Sequence, residues 1–136
     1  MSQQAPDIAD KIEIAEVLAR YCHRVDHNDA EGWAALFTDD GVFDVVGVMR
    51  FAGTEQLRAM PGVVQQHGNG KWRHQITSIA VDAGANRDSA RVQAYGLVTE
   101  WAESGIGKPV SFTDYAIEFR RVAGAWRIAE LLANGV

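Results

Sequence analysis

The first part of the chain repeats its apolar residues with the period of a helix. One row at i, i+4, i+7 spacing is apolar up to its last member and consists of Ile8, Ile12, Ala15, Ala19, Cys22 and Asp26. The opposite side is polar and consists of Glu13, Glu16, Arg20, Arg24 and His27. The pattern predicts a helix that begins at Pro6 or Asp7 and ends at Asp26. It also places the carboxyl group of Asp26 on the buried row rather than on the solvent side.

The rest of the pattern predicts short helices and then a series of strands. Two further helices are expected at 30–37 and 55–60, a hairpin at 42–46 and 48–51, and long strands at 72–82, 89–102, 110–122 and 126–132. The segment 62–70 is polar and punctuated by glycine, which predicts a mobile loop with His67 in solvent. Helices followed by a strand meander indicate the α+β class, with N-terminal helices packed on one face of a curved antiparallel sheet and a pocket between them.

Size and composition limit the classes of protein to consider. The chain has 136 residues, 47% of them hydrophobic, which predicts one domain over 1–136 with a substantial core. Its formal net charge is −5 and no basic stripe is present, so nucleic acid is not an expected partner. No apolar run is long enough to span a membrane, and the polar start of the chain has no signal-sequence pattern. We therefore expect a cytoplasmic protein with no membrane partner.

Asp26 and His74 are the candidate acid–base groups. A buried carboxylate needs a partner, and His74 is a lone histidine that enters an otherwise apolar strand. A carboxylate that holds an imidazole inside a pocket forms a general base, so we expect the two side chains within hydrogen-bond reach. Two structural alternatives stay open here: Asp26 can close its helix through an Asx turn, and His74 can be a structural histidine.

A metal site is not expected. His23 and His27 lie four residues apart on one helix, which is the spacing of a metal-binding pair. However, Arg20 and Arg24 lie on the same polar face and repel a cation, and no third ligand is evident. The sequence also has no phosphate-binding glycine loop and no nucleophilic serine elbow. We therefore expect no cofactor.

Four segments have the residues and spacing of a known family. They are Tyr21-x4-Asp26, Trp33-x2-Leu36-Phe37-Thr38-Asp39-Asp40-Gly41, Arg73-His74-Gln75-Ile76-Thr77, and Tyr115-x5-Arg121-x2-Gly124-x-Trp126-Arg127-Ile128. In this order the sequence resembles SnoaL-like proteins of the nuclear transport factor two-like superfamily. It is most similar to the group of scytalone dehydratase, hexachlorocyclohexane dehydrochlorinase and bile-acid 7α-dehydratase. The resemblance implies a cone of curved antiparallel strands, closed by helices, around a deep pocket.

The resemblance also implies roles for individual residues. Asp26 and His74 match the aspartate and the histidine base of that group. Tyr21 matches a tyrosine of the bile-acid enzyme, and Phe43 falls where the dehydrochlorinase has a pocket tryptophan. The second strand histidine of scytalone dehydratase would fall near Thr99 and is missing here.

The sequence therefore predicts a cofactor-independent lyase, a dehydratase or dehydrohalogenase, that acts on a small hydrophobic, cyclic substrate by β-elimination. His74 removes a proton, Asp26 fixes and stabilises the imidazole, and Tyr21 donates a hydrogen bond to the departing oxygen. The expected pocket residues are Trp33, Phe43, Trp72, Tyr95 and Leu97. Two alternatives remain: an isomerase or aldol cyclase with the same base, and a non-catalytic domain that binds a small molecule or a partner. A homo-oligomer is expected, with a trimer favoured over a dimer.

Overall fold

A six-stranded sheet and four helices form the part of the chain that the structure describes, residues 6–135 of a computed structural model. The helices are α1 (Ile8–Asp26), α2 (Ala30–Ala34), α3 (Gly53–Leu57) and α4 (Met60–Gly68). The strands are β1 (Phe37–Val45), β2 (Met49–Ala52), β3 (Trp72–Ala83), β4 (Ser89–Glu100), β5 (Lys108–Val122) and β6 (Ala125–Gly135). The α+β class predicted from the sequence is confirmed.

The sheet is a meander with one parallel pair. Its strand order is β2-β1-β6-β5-β4-β3, and all neighbours are antiparallel except β1 and β6. Register shifts interrupt the pairing of β3 with β4, of β4 with β5 and of β5 with β6. Such irregularities bend strands and increase their twist, so the sheet curves and offers α1 a concave face.

The N-terminus of α1 is capped by two aspartates. The Asp7 side chain accepts a hydrogen bond from the backbone N–H of Asp10, and the Asp10 side chain accepts one from the N–H of Asp7. This reciprocal pair satisfies two donors that have no partner within the helix. The helix therefore begins close to the start predicted from the sequence, at Pro6 or Asp7.

The buried side of α1 differs from the predicted row. Its members are Ile14, Val17, Leu18, Tyr21, Cys22, Val25 and Asp26. Ile8 is 79% exposed and Ile12 is 65% exposed, so the N-terminal half of the prediction is wrong, whereas burial of Asp26 is confirmed. The buried side centres on the neighbouring row through Leu18. The predicted row, which includes Ile8, Ile12 and Asp26, lies at the edge of the buried face of α1. Strand β3 covers this row only near the C-terminal end of the helix.

Two of the predicted helices end early or shift. α2 stops at Ala34 instead of continuing to Phe37, because the chain there joins the sheet: the Leu36 carbonyl accepts a hydrogen bond from the N–H of Ile128, and Phe37 pairs with Ile128. The third helix spans Gly53–Leu57 rather than 55–60. At the end of α2 the backbone bonds to the sheet therefore override local helical preference.

The segment predicted as a loop at 62–70 is instead α4, Met60–Gly68. Pro61 lies in its first turn, where a missing N–H costs nothing, and Asn69 ends it in the left-handed conformation. Met60 and Val64 are buried four residues apart. Glycine and glutamine residues surround these two positions, so the short apolar stripe of α4 is not evident from the sequence.

The core lies between α1 and the concave face of the sheet. Its largest fully buried side chains include Trp33, Tyr21, Phe37 and Phe119. No described helix is both long enough and apolar enough to cross a membrane.

Candidate active site

Asp26 and His74 form a two-point contact at the end of α1. The Nδ1 atom of His74 lies 2.7 Å from Oδ1 of Asp26, and the backbone N–H of His74 donates to Oδ2 of Asp26 at 2.9 Å. The side chains are 9% and 4% exposed for histidine and aspartate, respectively. The contact predicted from the sequence is therefore confirmed, while the catalytic roles of the two residues stay predictions.

This contact sets which nitrogen of His74 is free. An ionised carboxylate only accepts hydrogen bonds, so Nδ1 is the ring nitrogen that carries the proton and donates it. Nε2 is then the nitrogen with a lone pair, and the ring lines a cavity. A base in this state can take a proton from a molecule in that cavity, and the carboxylate can stabilise the resulting imidazolium.

Local structure holds both residues in place. Asp26 is the last residue of α1, and Asn28 turns the chain sharply after it with φ of 58°. The Gln65 side chain on α4 donates to the carbonyl oxygens of Val25 and Asp26, each at 3.2 Å. α4 therefore satisfies carbonyl groups that the end of α1 leaves without helical partners.

The cavity beside His74 has a volume of about 230 Å³. Its apolar walls come from β1, β2, α4 and β4, and include Phe43, Val45, Met49, Met60, Val63, Val64 and Val98. Its polar groups come mainly from β3 and β5, and include His74, Ser111, Thr113 and Tyr115. Larger depressions of about 680 and 490 Å³ lie elsewhere and contain neither Asp26 nor His74. A ligand in the cavity beside His74 therefore meets hydroxyl groups on one side and hydrocarbon on the other.

Besides His74, three of the residues predicted for the site line this cavity. Phe43 and Trp72 do so, as does Tyr21, which is only 1% exposed and whose ring centroid lies 6.4 Å from that of His74. Trp33 lies outside the cavity lining, because it is fully buried behind Tyr21 and Phe43. The prediction that Trp33 lines the pocket is therefore wrong.

Tyr95 and Leu97 are also misplaced by the sequence prediction. Tyr95 is 59% exposed, and both residues alternate along β4 with Gly96, which is buried on the concave side. Side chains along a strand point to opposite faces in turn, so a prediction that errs by one position moves the whole set to the wrong face. Both residues lie on the outer face of the sheet and not in the cavity.

His67 contributes to the rim of the cavity. It was predicted to lie in solvent, and it is exposed, but it also lines the cavity from α4. Its Nδ1 lies 2.9 Å from the Val63 carbonyl, and its ring stacks on Trp72 with centroids 6.3 Å apart.

A family model described as the SnoaL-like domain matches residues 6–131. The chain belongs to the SnoaL-like family. A comparison with curated proteins gives no match.

Solved structures share the fold of this SnoaL-like chain. Rv3472 of Mycobacterium tuberculosis, a protein of unknown function, is 26% identical over 94% of this chain and 72% of its own, with a TM-score of 0.83. An NTF2-like protein with a cystatin-like fold from Novosphingobium aromaticivorans is 23% identical over 95% of this chain and 83% of its own, with a TM-score of 0.85. A protein of the same organism provisionally named a scytalone dehydratase is 17% identical over 95% and 85%, with a TM-score of 0.80. These similarities establish the fold.

Tyr115 is one of the cavity residues of this SnoaL-like chain that the sequence analysis did not assign to the site. Its ring packs edge-on against that of Tyr21, and the two ring centroids lie 6.5 Å apart. Burial raises the pKa of Tyr21 well above its usual value and raises that of Tyr115 to about 12. Alternation of Ser111, Thr113 and Tyr115 at period two was the available signal, since it places three hydroxyl groups on one face of β5.

The helical histidine pair lies away from the cavity. His23 and His27 are exposed on α1, and Nδ1 of His27 lies 2.8 Å from the His23 carbonyl. Within residues 6–135 no group of three histidine, cysteine or acidic side chains comes close enough together to hold a metal ion.

Proposed function

We propose that this SnoaL-like protein is a cofactor-independent lyase, a dehydratase or dehydrohalogenase, that acts on a small, largely apolar, cyclic substrate. The observation that carries the proposal is the two-point contact of Asp26 with His74 at the wall of a mostly apolar cavity. A contact needed only for stability would not require the His74 ring to line a cavity. A general base does require this arrangement.

The proposed reaction is a β-elimination. Nε2 of His74 removes a proton from carbon, and the electron pair of that C–H bond forms the new double bond as hydroxide or halide leaves the neighbouring carbon. Asp26 keeps the ring in the reactive tautomer and stabilises the imidazolium charge. Tyr21, which lines the cavity, donates a hydrogen bond to the departing oxygen.

The cavity limits the substrate to a small molecule. A volume of about 230 Å³ lies below the range of roughly 300–1,000 Å³ typical of pockets for drug-sized ligands. Its hydrocarbon side fits the ring of a cyclic substrate, and its hydroxyl side fits one or two oxygen substituents. Cyclic β-hydroxy ketones and halogenated cyclohexanes are therefore the compounds to test.

The test is a substrate screen with a matched pair of histidine variants. Wild-type protein, His74→Ala and His23→Ala are incubated with both compound classes, and loss of water or halide is followed by absorbance and mass spectrometry. We expect turnover by wild type and by His23→Ala, whose side chain is exposed on α1, and none by His74→Ala. Wild-type turnover by His74→Ala would show that His74 is not the base.

The same screen separates the alternatives. If substrates exchange a carbon-bound proton with deuterated solvent but lose neither water nor halide, the protein is an isomerase with the same base. If ligands bind without exchange or loss, it is a binding domain.

A further inference from the structure

We propose that α4 is the gate of the cavity and that Gln65 is the latch that keeps this gate closed. The gate deepens the proposed function, on which it rests for the role of the cavity, because it determines how a small molecule reaches His74. It concerns entry and release of the ligand and not the chemistry at the base.

α4 supplies one wall of the cavity beside His74. Its lining residues are Met60, Val63, Val64 and His67. The other lining residues, except Tyr21 of α1, belong to strands that backbone hydrogen bonds hold in the sheet. α4 lies beside α1, α2 and β3 and is not part of the sheet. Moving α4 therefore breaks no strand pairing, whereas moving one of the other walls does.

The mouth of the cavity lies between α4 and β5. Among the lining residues, His67 on α4 and Ser111 on β5 are exposed, whereas Tyr21 and Phe43 are buried. Ser111 is fixed by its pairing with Val98 on β4. The mouth can therefore widen at low cost only when α4 moves away from β5.

Both ends of α4 are suited to act as hinges. Arg58 and Ala59 join it to α3, which ends at Leu57. At its other end Asn69 and Gly70 both have left-handed backbone conformations, with φ of 50° and 75°. Hinges are a few residues at the ends of elements that absorb changes of φ and ψ, and glycine does so at little cost. α4 can therefore swing as a unit between these two connections.

Gln65 ties α4 to the end of α1. Its Nε2 donates to the carbonyl oxygens of Val25 and Asp26, each at 3.2 Å. The carboxylate of Asp26 in turn accepts the two hydrogen bonds from His74. The latch therefore joins the gate to the residue that holds the proposed base.

The position of the latch predicts an effect on rates rather than on affinity. Gln65 is not among the residues that line the cavity, so its hydrogen bonds are the same with and without a ligand inside. Their loss lowers the cost of opening equally in the free and the bound protein. Association and dissociation then become faster by the same factor, and the dissociation constant stays the same.

The test compares Gln65→Met with Gln66→Met. Methionine has nearly the length and helix propensity of glutamine but donates no hydrogen bond. Gln66 is the matched control, because it is the next residue of α4 and is exposed. Stopped-flow tryptophan fluorescence gives both rate constants for 4-nitrotoluene, a quencher that would bind beside Trp72 in the cavity. Hydrogen exchange of the α4 amides measures opening without any ligand.

We expect Gln65→Met to raise both rate constants by roughly 3-fold to 10-fold, as for loss of one or two neutral hydrogen bonds. Its dissociation constant should stay within about 2-fold of that of wild type. Exchange of the α4 amides should become faster by a similar factor, while exchange of the β4 amides stays the same. Gln66→Met should match wild type in all these measurements.

Several results would overturn the gate. They are rate constants of Gln65→Met equal to those of wild type, weaker binding by Gln65→Met without faster association, equal effects of the two variants, and α4 amides that exchange as slowly as those of β4 in wild type. If 4-nitrotoluene does not bind, the exchange measurements decide between the two outcomes.

Failure of the gate can be distinguished from failure of the proposed function, because no measurement in this test depends on turnover. If turnover requires His74 but Gln65→Met opens no faster than wild type, the base is right and the gate is wrong. If the gate opens as expected and no compound loses water or halide, the cavity admits ligands without the lyase reaction.

Discussion

At the scale of the residue, the carboxylate of Asp26 accepts two hydrogen bonds from a single partner. One comes from the backbone N–H of His74 and the other from its ring, so the carboxylate fixes both the position of the strand and the orientation of the imidazole. The negative charge of Asp26 is also the charge nearest to the imidazolium that would form when His74 removes a proton. The two effects, orientation and charge, can be separated by mutation.

We predict that Asp26→Asn keeps the fold and loses activity. An amide has one acceptor oxygen, so it cannot replace both contacts, and it has no charge to stabilise the imidazolium. The expected loss in kcat is on the order of 100-fold, within the range that positioned acid–base groups contribute. It is measured on the best substrate of the screen, with circular dichroism as the check of folding. A folded variant with wild-type kcat would mean that the charge of Asp26 has no part in the reaction.

The buried thiol of Cys22 gives a second prediction at this scale. Burial, together with the charge of Asp26, raises its pKa to about 12, and only the thiolate reacts readily with disulfide reagents. We predict that an aromatic disulfide reagent at about pH 8 leaves the native protein unlabelled, whereas it labels one thiol per chain after unfolding. Rapid labelling of the native protein would show that the α1–β3 contact opens readily.

At the scale of the element, a cluster around Asp10 joins the start of α1 to the β5–β6 hairpin. Oδ1 of Asp10 accepts hydrogen bonds from the indole N–H of Trp126 and from Nη1 of Arg121, each at 3.0 Å. The Arg121 guanidinium also lies 4.7 Å from the centre of the Trp126 ring. α1 is therefore anchored at both ends, by Asp10 to the hairpin and by Asp26 to β3.

We predict that Asp10→Ala lowers the free energy of unfolding by roughly 1–3 kcal/mol at neutral pH, because it leaves the Trp126 indole N–H and Nη1 of Arg121 without this acceptor and removes one bond of the α1 cap. Chemical denaturation measures this difference, and Asp114→Ala, at an exposed carboxylate, should change stability by less than about 0.5 kcal/mol. Equal stabilities of the two variants would show that the cluster does not hold α1.

The contribution of Asp10 to the free energy of unfolding should decrease as the pH falls. The hydrogen bond from Trp126, against the opposing effect of burial, lowers the pKa of Asp10 from its ordinary value of 3.8. A group with a lowered pKa stabilises the fold fully above the unfolded value and loses that effect as pH falls through the folded value. The stability difference between wild type and Asp10→Ala should therefore shrink below about pH 4. A difference that is constant with pH would exclude the ionised carboxylate as its source.

At the scale of the whole molecule, the outer face of the sheet carries exposed aromatic side chains. Tyr95, Phe112 and Trp101 are 59%, 58% and 60% exposed, and Leu97 on β4 lines the same surface depression as Trp101 and Phe112. A sheet face that stays in contact with solvent usually exposes less apolar surface than this one does. The homo-oligomer expected from the sequence predicts that other copies of the chain cover it.

We predict a homo-oligomer, with a trimer favoured over a dimer, built on this face. Light scattering coupled to size-exclusion chromatography measures the mass, and Phe112→Asp should convert the assembly to monomers, because it would bury a charge at the interface. Val48→Asp is the control, since Val48 is 71% exposed in the turn between β1 and β2. A wild-type protein that is monomeric at every concentration would contradict the prediction.

The amino-acid sequence by itself determined the class of the fold and the contact between Asp26 and His74. Helical periodicity up to Asp26, strand patterns after Trp72 and the family spacing between Asp26 and His74 were sufficient, because each depends on local order or on a distance along the chain. Tyr21, Phe43 and Trp72 were placed in the cavity on the same basis, and all three line it.

Only the tertiary structure decided which faces meet. The sequence shows that β4 alternates, but the register against β3 and β5 decides that Gly96 faces the cavity and that Tyr95 and Leu97 face outward. The buried row of α1 likewise depends on where the sheet crosses the helix. Tyr115 becomes part of the site because Gly96, 19 residues earlier, leaves room for its ring. Contacts between distant segments depend on packing and strand register, and no local pattern along the chain encodes them.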